Sequence, residues 1–233
     1  MSLLVLGHRP IYADDLDELL LLAREREQPV GALLLPAACA LDWWPVVRKR
    51  VVEPLGLAPR SVLPVGARLP DAEAEALHCD GLRWALWEPF SPLELRFAVT
   101  LALSESDLFE FRIDTRVPCS IGVEVEAQSR IVPAHLTDLS ACGAFVQLAH
   151  PHPERTPLVV RLELCGRVVS LRAHVAWRSG TRSPAWRDRG MGIEFEDVDP
   201  EALTLLREQA EHALDRFRLG APAMAQRPPE GSA

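Results

Sequence analysis

The chain has 233 residues, 48% of them hydrophobic, and a formal net charge of −8, enough for one large or two small domains. Acidic groups outnumber basic ones along its length, 14 to 10 over residues 1–104 and 14 to 11 over residues 105–200, so it lacks the basic footprint of a nucleic-acid binder. No run of 18 or more apolar residues occurs, which excludes a membrane-spanning helix. Five cysteines without a C-x-x-C pair point to reduced thiols, no zinc site and a cytoplasmic location.

The first half alternates strands and helices. Leu3–Leu6 reads as a strand rather than a signal peptide, because it lacks a charged lead. Residues 14–27 form a helix with acidic residues first. Leu16, Leu19, Leu20 and Ala23 fall at helical spacing, and Leu21 and Leu22 widen that apolar face. Strands are expected at 30–35, 61–65 and 82–87, with helices at 43–55 and 70–77. Ser91-Pro-Leu-Glu94 is a capping box with proline at the first helical position, opening a helix to about Ser104. Alternation of this kind implies a parallel sheet covered on both faces.

The second half is β-type. Residues 120–127, SIGVEVEA, alternate cleanly, and runs at 130–139, 144–149, 157–165, 168–177 and 190–195 follow at roughly even spacing. Six such runs suggest a closed or nearly closed antiparallel barrel. Asp199 then caps a helix with Pro200 in its first turn. Its apolar stripe is Leu203, Leu206, Ala210, Ala213, Leu214 and Phe217. From Gly220 the sequence is rich in Pro, Gly and Ala and is expected to be disordered.

Two short motifs precede and enter this β region. Arg112-Ile-Asp-Thr-Arg116 is R-x-x-x-R, and Asp138-Leu-Ser140-Ala-Cys-Gly143 is D-x-S-x-x-G. Alone, the first also fits a solvated linker and the second an ordinary Asx-capped turn. In this order, at this spacing and followed by β-type sequence, they resemble the PilZ domain, the bacterial receptor module for cyclic di-GMP. The resemblance covers about residues 110–217 and implies six strands plus a C-terminal helix.

The chemistry of the residues suits that ligand. An arginine fork grips phosphate oxygens or the O6/N7 edge of guanine bidentately, and its flat face stacks on a purine. Asp138 offers acceptors for the guanine N1–H and N2–H donors. Ser140 can donate to a phosphate or to its own turn, and Gly143 allows a positive φ that a side chain would resist, so the turn can bring its backbone close to the ligand. The resemblance further implies that the R-x-x-x-R segment is an interdomain hinge that wraps around the nucleotide. Phe111 then stands where it can influence whether one nucleotide or a stacked pair binds.

The first half resembles a receiver domain of two-component signalling, mainly through its close: a strand, a residue-proline pair and a capped helix. Glu88 stands where that family has lysine, no acidic pair follows Leu6 and no Asp follows residues 30–35. A degenerate domain is therefore expected, without phosphorylation or magnesium. It would serve as a docking or dimerisation module for a protein partner, with Trp43, Trp44, Trp84 and Trp87 as candidates for an exposed aromatic patch.

The expected organisation is a receiver-like parallel α/β domain at 1–104, a hinge linker at 105–116, a six-stranded antiparallel PilZ β-barrel with its C-terminal helix at 117–218, and a disordered tail at 219–233. The expected function is that of a non-enzymatic cyclic di-GMP effector, needing no cofactor or metal, that acts on motility, pili, polysaccharide or polarity. The runner-up is a ligand-independent adaptor built on the same scaffold. A hydrolase is disfavoured: His150-Pro-His152 has no carboxylate or cysteine partner at metal spacing and reads as a turn.

Overall fold

The structure is a computed structural model that describes residues 10–25, 29–104, 116–179 and 189–220. The strand expected at Leu3–Leu6, Phe111, Arg112 with most of the 105–116 hinge, and the tail beyond Gly220 lie outside those residues. The chain divides into two compact units, Met1–Asp107 together with Asp215–Ala233, and Leu108–Leu214.

The first unit holds α1 (Leu16–Arg24), β1 (Leu33–Pro36), α2 (Ala37–Val47), β2 (Val62–Gly66), α3 (Asp71–Cys79), β3 (Leu86–Trp87) and α4 (Pro92–Leu103). The strands form a parallel sheet in the order β1-β2-β3. Asp15 caps α1 by accepting from the Glu18 backbone N–H (2.8 Å), so it serves the helix end. Leu21, expected on the apolar face, is 58% exposed, and the buried side is carried by Leu16, Leu19, Leu20 and Ala23.

The second helix begins at Ala37, six residues before the expected start, because Ala37-Ala-Cys-Ala40 directly after β1 is strong helix-forming sequence. It passes through Pro45 and widens into a π turn at Arg48–Val52. In α4 both halves of the capping box are present: Glu94 N–H donates to Ser91 Oγ (3.2 Å) and Ser91 N–H to Glu94 Oε2 (2.7 Å). Trp44 is 1% exposed and belongs to the core with Val47, Val51, Leu77 and Leu82. Trp84 and Trp87 are half-buried and Trp43 is 49% exposed. The four tryptophans therefore do not form one surface patch; neighbouring helical residues are turned by about 100° from each other, so Trp44 is buried while Trp43 is exposed.

The second unit is a closed barrel in the order β4-β5-β6-β9-β8-β7. Its strands are β4 (Val117–Ala127), β5 (Arg130–Leu139), β6 (Gly143–Gln147), β7 (Pro157–Leu164), β8 (Arg167–Arg178) and β9 (Gly190–Glu196). All neighbours are antiparallel, and β4 pairs with both β5 and β7 to close the ring. Closure leaves no open edge. The hairpin between β7 and β8 turns on Cys165 and Gly166, both at positive φ (49° and 80°), as a two-residue hairpin of this twist requires. Alternate residues such as Val125, Leu136, Val146, Val160, Val175 and Ile193 fill the interior.

Helix α5 (Pro200–Asp215) adds Ala202, Leu205 and Leu206 to the barrel core. Asp199 Oδ1 accepts from Ala202 N–H (2.9 Å), fulfilling its expected capping role. The helix ends at Asp215. Phe217, expected on its apolar stripe, instead packs edge-on to Phe97 of α4, with ring centroids 5.0 Å apart. Leu219, expected in the tail, is 2% exposed and lies in the core of the first unit. Both residues are apolar and follow the helix end, so their burial in that unit prevails over the Pro-, Gly- and Ala-rich composition further on.

Candidate functional site

The barrel brings Arg116 and Asp138 together, although 22 positions separate them in sequence. Arg116 immediately precedes β4, and β4 and β5 pair so that Val117 faces Leu139 and Pro118 faces Asp138. Arg116 Nη1 stands 3.6 Å from Asp138 Oδ1, an ion pair beyond hydrogen-bond length. Asp138 Oδ1 also accepts the Phe145 backbone N–H at 3.0 Å. A β-bulge between Leu136 and Asp138 shifts the register there, which lets Leu136 stay in the core while Asp138, two positions on, turns to the other side of the strand.

Ser140 and Gly143 are both tied into the barrel's own bonding and packing. Ser140 is 2% exposed. Its Oγ donates to Gly143 O (3.0 Å) and accepts from the N–H groups of Cys142 (3.3 Å) and Gly143 (3.2 Å). Its own N–H also donates to Gly143 O at 2.8 Å. Of the two roles open to it, the structure shows the second: the hydroxyl organises its own turn.

Gly143 does not use the positive φ that its missing side chain would allow. The glycine is required because β9 runs too close: a Cβ there would sit 2.2 Å from Ile193 O. The motif is thus a strand junction as well as a turn, held further by Phe195 N–H donating to Cys142 O (2.8 Å). The Cys142 side chain is partly buried in this turn, as a small filler would be.

Two residues that sequence reasoning did not single out extend the site. Pro118, Asp138, Phe145, Gly192 and Trp177 are successive cross-strand partners over β4, β5, β6, β9 and β8. Directly paired residues present side chains to the same face, here the outside of the barrel. The Phe145 and Trp177 rings lie 5.3 Å apart, tilted by 31°, and Trp177 is 45% exposed. They rest on two glycines. A Cβ on Gly192 would meet the indole at 2.2 Å, and one on Gly190 would meet the Phe145 ring at 2.6 Å. The available signal was Gly190-Met-Gly192 inside a strand, since glycine in a strand interior marks something lying close over the backbone.

The arrangement therefore offers one guanidinium, one carboxylate and an aromatic surface in a row. Among the described residues no group of three or more His, Cys, Asp or Glu side chains could hold a metal ion, and no helix is long and apolar enough to cross a membrane. Burial pushes the Cys165 thiol up, with Glu208 adding to it.

Residues 110–212 match the family model for the PilZ domain, which assigns that segment. Three solved structures are similar to part of the chain. One is the PilZ domain of CeSA from a cellulose-synthesizing bacterium, 26% identical with TM-score 0.34, over 42% of this chain and 97% of that one. Another is the Bacillus subtilis inhibitor of motility MotI/DgrA, 17% identical with TM-score 0.37, over 43% and 48%. The third is the PilZ domain of YcgR from Escherichia coli, solved with c-di-GMP, 15% identical with TM-score 0.35, over 44% and 93%. Comparison with curated proteins gave no match.

Proposed function

We propose that the chain is a cyclic di-GMP receptor whose barrel binds the nucleotide beside Arg116 and Asp138. The observation that carries this reading is the juxtaposition of those two side chains, within a segment matching the PilZ family model. Arg116 and Arg112 supply the guanidinium groups for phosphate or for the Hoogsteen edge of guanine. Asp138, anchored through Phe145 N–H, presents a carboxylate to a donor edge. Ser140 and Gly143 hold the turn that sets the Asp138 position. Trp177 and Phe145 present aromatic faces on which a purine can stack, an interaction worth about 1–3 kcal/mol per base.

Binding of a dianion would draw the 105–116 segment onto the barrel and so change the arrangement of the two units. Only a ligand with different affinity for the two arrangements can do this. The first unit, as a degenerate receiver-like module, would pass the change to a protein partner controlling motility, pili, polysaccharide or polarity. No catalytic step is involved.

A ligand-independent adaptor is the second reading. Ser140 and Gly143 are fully accounted for by bonds and contacts inside the barrel, and an adaptor would keep them for that reason. Competition filter binding with labelled cyclic di-GMP separates the two. Retention that excess unlabelled cyclic di-GMP displaces and excess GTP does not supports the receptor; no displaceable retention leaves the adaptor.

A further inference from the structure

The first unit is not completed by the first half of the sequence. Residues 216–220, beyond the barrel's helix, are built into it. Ala85 N–H donates to Phe217 O (2.8 Å) and Leu219 N–H to Arg83 O (2.9 Å), and Trp84 and Arg218 form an antiparallel bridge. This short strap thus runs alongside the approach to the edge strand β3, where backbone groups would otherwise stand unpaired. Phe217 meets Phe97, and Leu219 enters the core with Leu77 and Leu82. Gly220 lies at φ 80° against Glu75 and His78.

Helix α4 receives the strap twice. Phe97 takes the Phe217 ring, and Glu94 Oε1 pairs with Arg216 Nη2 at 2.7 Å. The same Glu94 carboxylate closes the capping box through its other oxygen. The strap begins where α5 ends, at Asp215, whose Oδ1 accepts from Arg218 (2.6 Å). Meanwhile α5 carries Ala202, Leu205 and Leu206 into the barrel core.

We infer that the barrel is an insertion within the first unit, and that residues 216–220 are a strap through which α4 responds to the state of the barrel's helix. The physical basis is continuity. One run of chain has its helix in the barrel core and its next five residues in the core and hydrogen bonding of the other unit. The response to nucleotide rests on the receptor reading above; the strap itself does not.

The test is hydrogen–deuterium exchange on the full chain, with and without saturating cyclic di-GMP, read on residues 82–87 and 92–103. Wild type, Phe217→Ala and Arg216→Ala are compared, the last because it removes only the ion pair and keeps the buried ring. Calorimetry on each sample reports occupancy separately. Without nucleotide, the Ala85 amide should exchange at least tenfold faster in Phe217→Ala, with residues 117–139 unchanged. With nucleotide, wild type should change protection over 92–103. Phe217→Ala should bind within twofold of wild-type affinity and lose that change, and Arg216→Ala should weaken it. Unaltered Ala85 protection in Phe217→Ala overturns the strap. A saturated wild type with no change over 92–103 overturns the role of α4. Absence of any binding heat overturns the receptor reading and with it the nucleotide response, while the nucleotide-free comparison still decides the strap.

Discussion

Asp138 and Ser140 are two residues apart and have opposite exposures to chemistry. Asp138 reaches the outer surface of the barrel beside Arg116, whereas the Ser140 hydroxyl is consumed by its own turn. The two should therefore fail differently when replaced. Ser140→Ala removes the hydroxyl that accepts from Gly143 N–H and donates to Gly143 O inside a buried turn and should cost about 1–3 kcal/mol of stability, seen as a lower midpoint in urea unfolding. Arg116→Ala should leave that midpoint within about 0.5 kcal/mol, since a partly exposed ion pair contributes little, yet weaken nucleotide binding.

Gly143→Ala is the steric counterpart. Its Cβ would enter the Ile193 carbonyl, a backbone atom that cannot rotate away, so overpacking should destabilise by about 1–3 kcal/mol, measured by thermal unfolding. The Cys165 thiol, on an exposed residue but raised by partial desolvation and by the nearby Glu208 carboxylate, stays protonated to higher pH than an ordinary cysteine. Its alkylation by iodoacetamide should therefore be slower than that of a free thiol at pH 8, and should climb only as pH passes the ordinary thiol range.

The elements differ in how openly the sequence declared them. The six barrel runs were expected at 120–127, 130–139, 144–149, 157–165, 168–177 and 190–195, and the strands fall within three residues of those bounds. Alternation is decisive in a small barrel because most strands, such as β5 and β7, bury one face and leave the other wetter. Asp199 and the Ser91–Glu94 box were legible because capping is a local interaction. Local propensity also explains one miss, the early start of α2 in its Ala-rich run.

Several other misses share a cause: they depend on partners far away in sequence. Residues 82–87 read as one strand, but only Leu86–Trp87 joins the ladder with β2. Arg83 and Ala85 bond instead to residues 217–219, which no local pattern announces. The same holds for Gly143, whose requirement comes from Ile193, and for the Phe145–Trp177 pair, which exists only because β6 and β8 both flank β9. At this scale Ser91→Ala should cost α4 about 0.5–2 kcal/mol. Leu219→Ala should cost about 2–5 kcal/mol, both read by urea unfolding. The second value would be near zero for a residue in a disordered tail.

At the scale of the whole molecule, the chain is two compact units that are not two halves of the sequence. The barrel's segment leaves the first unit after α4 and returns to it at Asp215. The acidic balance of the chain makes non-specific attraction of an anionic ligand unfavourable at long range, so a nucleotide receptor of this composition would depend on a few local arginines. Arg112 and Arg116 are the two side chains on which the proposed nucleotide binding depends.

The most direct test is calorimetric titration of the full chain with cyclic di-GMP, beside Arg112→Ala and Arg116→Ala. A charge-assisted contact contributes about 1.5–3 kcal/mol, so each variant should lose at least roughly tenfold in affinity while unfolding at the wild-type midpoint. Saturable binding that both substitutions weaken to that extent is the result expected. No binding heat in the wild type, or equal affinity in all three proteins, would contradict the receptor account.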